Sequence, residues 1–188
     1  MSRRRFTKDE WIALGLRELA DRGCDAVKLE AICKAASLTR GSFYHHFADH
    51  ETFLTALALQ WLTTQTEEVA ATLDPEATVA EQSAALTEAA MQIDYRLELG
   101  IRELGRRIPA VSEIIREADA MRLRLISTLY QMRFNIAPDR ADQFAYLEYA
   151  AFSGIILLDP DIAEDRQQAL ADLFEATVTR ALTSEDRS

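Results

Sequence analysis

The chain has 188 residues, 48% of them hydrophobic, with only six glycines and four prolines, which allows a real core and argues against a disordered chain. No apolar run approaches the ~20 residues that a membrane span needs, and the basic start M-S-R-R-R-F-T lacks the apolar middle of a signal peptide. The net charge of −10 is unevenly spread: residues 1–50 hold nine Lys and Arg against seven Asp and Glu, net +2, and residues 51–188 hold twelve against twenty-four, net −12.

The periodicity is helical throughout, which predicts an all-α protein. Thr7-Lys8-Asp9-Glu10 is a capping box that opens a first helix near Lys8. Trp11, Ile12, Leu14, Leu16, Leu19 and Ala20 form its inward stripe, and Gly23 ends it. Before it, Arg3, Arg4 and Arg5 read either as an arm touching phosphate or the minor groove, or as a free basic tail.

A short second helix spans Leu29 to Ala36, with Lys28 at its start, where a lysine suits a phosphate. Ala36-Ser37-Leu38 makes a turn. Thr39 caps a third helix that buries Leu38, Phe43 and Phe47 and shows Arg40, Gly41, Ser42, Tyr44 and His45 on its other side. That second set has a shared chemistry. Arginine pairs with a guanine edge or with phosphate, glycine lets backbone approach a duplex, and the hydroxyls donate to phosphate. Two helices joined by a tight turn, the second polar on its outer face, describe a helix-turn-helix.

The stretch from Thr7 to about Leu57, with A-V-K-L-E-A-I-C-K-A-A-S-L-T-R-G-S-F-Y-H-H-F followed by A-D-H-E-T-F-L, resembles the N-terminal domain of the TetR/AcrR family of bacterial repressors. The resemblance implies that Thr39, Arg40, Gly41 and Ser42 lie in or at the major groove. It implies that Tyr44 and His45 bind phosphate or a base edge, and that His46 supports the same surface. Two positions depart from the family pattern. Ser37 stands where the turn commonly has glycine. His50 stands where a phosphate-binding lysine is common, so a fixed charge is replaced by one that titrates near neutrality.

Beyond the head, Asp49 caps a fourth helix running to about Leu73, and Thr78-Val79-Ala80-Glu81 is a second capping box. Asp94 caps a sixth helix, and Pro109 and Pro138 open a seventh and an eighth. The eighth is apolar nearly all round and must be covered on more than one side; Gly154 would let another helix come close. The ninth carries a stripe of Leu170, Leu173, Phe174, Val178 and Leu182. In TetR-like proteins the last two helices pair with those of a second subunit. The resemblance therefore implies an interface built from Phe144, Phe152, Ile155, Leu170, Leu173, Phe174 and Val178. The expected division is a DNA-binding domain over 1–50 and an effector-binding and dimerisation domain over 51–188.

Trp61, Met91, Tyr95, Arg102, Arg122, Tyr130 and Tyr149 are candidates for lining an effector cavity between the fourth and eighth helices, or are ordinary core. Asp119 and Arg122, three apart, read as a surface pair rather than an anion clamp. Cys24 and Cys33 lack metal-type spacing and suggest a reduced, cytoplasmic setting, with a redox switch the lesser reading. His46 and His50 are four apart but lack a third ligand. No metal, cofactor, membrane contact or catalytic constellation is expected. The expected function is a ligand-released homodimeric repressor of a palindromic operator, with double-stranded DNA, a second copy and a small-molecule effector as partners. The alternative is a dimeric small-molecule sensor or protein-interaction module with a vestigial head.

Overall fold

The computed structural model describes residues 6–185, and only the backbone of Ile156, Ser184 and Glu185. The arm expected from Arg3, Arg4 and Arg5 lies outside the described residues. Among these, the chain forms nine helices and no strand: α1 (Lys8–Arg22), α2 (Leu29–Ala35), α3 (Arg40–Tyr44), α4 (His50–Leu62), α5 (Val79–Met91), α6 (Tyr95–Gly105), α7 (Pro109–Phe134), α8 (Pro138–Leu158) and α9 (Glu164–Glu185). Helix α4 continues through a π-turn at Thr63–Glu67 into a last α-turn at Glu68–Ala71. A 3₁₀ turn, Cys24–Val27, joins α1 to α2. No helix among the described residues is long and apolar enough to cross a membrane.

The caps follow the local chemistry. Thr7 and Thr78 each complete a capping box, with Glu10 and Glu81. The Asp49 carboxylate accepts from the Thr52 amide at 2.7 Å, and Asp94 accepts from Arg96 and Leu97. These groups satisfy amides that a helix start leaves without partners.

The chain packs as two units. The first holds Met1–Gln65 and Asp94–Ala118, the second Thr66–Ile93 and Asp119–Ser188. Packing therefore does not divide at residue 50. In the first unit, α1 is the shared partner of α2, α4 and α6. A Cβ built on Gly15 would stand 2.7 Å from both Leu57 and Phe53, and one on Gly100 would stand 2.8 Å from Leu19. Glycine at these two positions lets α4 and α6 close onto α1. Trp11, Phe43, Phe47 and Phe53 form an aromatic cluster, with Trp11 edge-on to Phe43 at 5.4 Å and Phe43 against Phe53 at 5.3 Å.

In the second unit, Tyr130, Ala141, Phe144, Ala145, Val178 and Leu182 form the buried core, flanked by Ile126, Phe134, Ile136, Phe174 and Ala181. Here the structure departs from the expected interface. Phe144 and Val178 are buried within the single chain, and Phe174 packs against the same core. The other side of α8 is bare. Tyr146, Leu147, Ala150, Ala151, Leu157 and Leu158 are exposed along it, and no atom lies within 4 Å of a Cβ built on Gly154, central in that stripe. An apolar pattern all round α8 does not reveal which side its own chain covers.

Candidate nucleic-acid interface

The head is held by its buried rings. Phe43 and Phe47 are 0% and 1% exposed, so the outer side of α3 is fixed by what its inner side anchors. Helix α3 has only five residues: Thr39 caps it by accepting from the Ser42 amide at 3.3 Å, and the turn tightens after Tyr44 through His46 N–H to the Phe43 carbonyl. Thr39, Arg40, Gly41, Tyr44 and His45 are exposed, and Ser42 and His46 half-buried. His45 and His46 stack edge-on at 5.0 Å. A Cβ on Gly41 would meet only the Thr39 hydroxyl, at 3.7 Å, so the fold itself does not demand glycine there.

The turn between α2 and α3 is a Schellman-type cap. The Leu38 amide reaches the Cys33 carbonyl at 3.0 Å, and Ser37 takes φ 54°. That left-handed conformation is the one glycine adopts most cheaply. Lys28 is exposed and pairs with Asp25 at 2.7 Å. Lysine's hydrogen bond holds the Asp25 carboxyl below its ordinary range. Arg40 is paired with Glu30, a partner the sequence reading missed because the two are ten residues apart.

His50 differs from expectation. Its Nε2 lies 2.8 Å from the Val27 carbonyl oxygen. A carbonyl only accepts, so Nε2–H is the donor, and it ties the start of α4 to the 3₁₀ turn. That nitrogen is committed inside the head rather than offered to phosphate.

Residues 12–57 match the model of the tetR family of bacterial regulatory proteins. These residues form a TetR-type DNA-binding head. The chain is accordingly a DNA-binding transcriptional regulator. Solved structures agree at the level of the fold. A protein of Pseudomonas aeruginosa PAO1 described as a transcriptional regulator matches with TM-score 0.77 and 18% identity, over 96% of this chain and 92% of that one. A regulator of Saccharomonospora viridis solved in complex with choline gives TM-score 0.74 and 16% identity, over 89% and 95%. The ketosteroid transcriptional regulator of Mycobacterium tuberculosis gives 0.60 and 18%, over 98% and 95%. No curated protein matches the chain in sequence.

Beyond the head, the structure places the seven expected effector residues in separate groups. In the first unit, Trp61 donates from Nε1 to Glu98 Oε2 at 3.0 Å, and Arg102 donates from Nε to Glu98 Oε1 at 2.8 Å. Glu98 is 2% exposed, and Tyr95 is buried on the same helix. The i, i+4 spacing of Glu98 and Arg102 is visible in the sequence; the burial is not. In the second unit, Arg122 donates to the Thr66 hydroxyl at 3.0 Å and to the Tyr149 hydroxyl at 3.1 Å. Tyr149 in turn donates to Asp119 at 2.6 Å. Asp119 and Arg122 are thus half-buried and share Tyr149, rather than forming a plain surface pair. Met91 is half-buried, and Tyr130 belongs to the core, donating to Glu148 at 2.6 Å.

Neither thiol is poised for redox chemistry. Burial first, and the neighbouring Glu103 next, push Cys24 up to about 11, and burial raises Cys33. Both stay protonated near neutrality, and the thiolate is the reactive form.

Proposed function

We propose that this regulator is a homodimeric repressor that reads a palindromic operator through α3 and is released by a small-molecule effector. The observation that carries the reading is the outer side of α3: Arg40, Gly41, Tyr44 and His45 are exposed over buried Phe43 and Phe47. Gly41 leaves room outward that the fold does not use. Lys28, Thr39, Ser42 and His46 complete the DNA-facing set, and His50 serves it by holding α4 to the turn before α2. Two heads would enter successive major grooves ~34–36 Å apart.

The pairing surface is the bare side of α8, with Tyr146, Leu147, Leu157 and Leu158, together with Leu170 and Leu173 of α9, all exposed. Of the residues expected there, Phe152 and Ile155 are half-buried on α8 and belong to its flanks. Effector control runs through α4. Its Phe53 and Leu57 pack in the core beside Gly15 of α1, and its Trp61 holds the buried Glu98 of α6. A molecule that engages Glu98 or Arg102 therefore acts on α4 directly. A coupling of ~1–3 kcal/mol, or ~5–150-fold, suffices for a switch. The structural neighbour solved with choline supports a small-molecule role for such a body. The acid-rich body and reduced cysteines suit a cytoplasmic protein.

Selection of duplexes from a randomised library tests the reading. The expected product is an inverted repeat, and enriched sequences without one overturn the dimeric operator. Arg40→Ala should relax preference at one position of each half-site, by the ~1–3 kcal/mol that a bidentate arginine–guanine pair carries. Tyr44→Phe should weaken binding to all sequences alike. Gly41→Ala should cost affinity but no thermal stability. Deleting the gene should raise transcription from the bound promoter; a fall would make the protein an activator.

A further inference from the structure

We infer that Glu30 sets the base preference of the head by holding the guanidinium of Arg40. The inference rests on α3 being the reading helix. Arg40 is the first residue of α3 and Glu30 stands in the first turn of α2, so their ion pair bridges the two helices of the motif. The Arg40 side chain is 59% exposed and that of Glu30 81%. Such a pair contributes little to stability in water, which leaves a functional reason for it to be sought.

A guanidinium has five N–H donors in a rigid fork. One hydrogen of Nη2 goes to Glu30 Oε1. The remaining donors stay available, and the contact biases the plane of the fork without fixing it. Two consequences follow for a duplex. A held fork loses less freedom when it pairs with the O6 and N7 of a guanine. A neutralised one gains less from a phosphate, because an arginine already paired displaces no net counterion charge. Glu30 thus penalises the sequence-independent mode more than the base-specific one. Lys28 shows the same arrangement, held by Asp25 at 2.7 Å. Two cations expected to face DNA therefore each carry their own carboxylate, which is consistent with a head whose residues 1–50 sum to only +2.

The blander role for Glu30 is an acid in the first turn of α2, favoured by the helix dipole. That role affects helix stability and leaves base preference untouched. The experiment separates the two. Duplexes are selected from a randomised library with the wild-type full chain. Affinities of wild type, Glu30→Gln and Glu30→Asp are then measured for a selected duplex and for the unselected pool, at several salt concentrations. Far-ultraviolet circular dichroism checks that each variant is folded.

Glu30→Gln should bind the pool about fivefold tighter, the scale of one exposed ion pair, while its affinity for the selected duplex changes by less than about twofold. The salt slope on the pool should steepen by about 0.9, the value of one phosphate contact. Glu30→Asp should keep more of the discrimination than the glutamine. In an Arg40→Ala background, Glu30→Gln should leave base preference unchanged. Equal tightening on both DNAs would make Glu30 a merely repelling charge and overturn the inference, as would no change on either. A wild-type chain that enriches no duplex overturns the assignment of α3 itself, and this inference with it. Enrichment by wild type with an unchanged ratio in Glu30→Gln overturns this inference alone.

Discussion

Single residues carry the largest departures from helical routine. Ser37 sits at φ 54°, where a Cβ crowds the following carbonyl. The Leu38-to-Cys33 hydrogen bond requires the turn, so the strain stays. Ser37→Gly should therefore raise stability by up to ~1 kcal/mol, after the entropy that glycine loses on folding is set against the relief. A denaturant midpoint that does not rise would show the turn to be relaxed. Glu148 is a second case. Burial raises its pKa, with the Tyr130 hydroxyl bond and Arg133 opposing and Glu175 adding to the rise. A carboxyl raised in the fold stabilises fully when protonated, below its unfolded value, and loses that contribution as pH rises through the folded one. Glu148→Gln keeps an acceptor for Tyr130 and never ionises. Its advantage in melting temperature over wild type should be absent in acid and grow towards neutral pH; a constant gap would contradict the burial penalty.

At the scale of the element, the proposed pairing rests on α8. Its buried side carries Ala141, Phe144 and Ala145, and its bare side runs from Tyr146 to Leu158. Leu158 is 86% exposed. Leu158→Glu should split the pair and abolish operator binding while leaving the far-ultraviolet spectrum intact. Phe144→Glu should unfold the second unit, because it buries a charge in the core. Light scattering that still gives a dimer for Leu158→Glu would move the interface elsewhere. The sequence made α3 legible because its grammar is local: a threonine cap, two phenylalanines four apart, and polar residues between. It left α8 half-legible, since apolar residues all round a helix do not say which belong to its own chain. The Arg40–Glu30 pair and the Gly100–Leu19 approach join residues distant in sequence, and no periodicity encodes them.

The whole molecule combines a recognisable head with a body whose likeness to known regulators lies in the fold, at 16–18% identity among the structures compared. The head's motif is constrained by a duplex that does not change. The body needs only helices and a core, and many sequences supply them. Glu98, held between Trp61 and Arg102, marks where such a body departs from plain packing. Charge follows the same division, with net +2 in residues 1–50 and −12 beyond. If the bare stripe of α8 pairs two copies, as proposed, mass action adds a consequence. A chain that reads DNA only as a pair has an operator occupancy that falls with the square of its concentration once dilution separates the copies. Halving the supply of chain then removes three quarters of the competent reader. Expression level alone would then be a steep control on the promoter, needing no molecule but the protein itself.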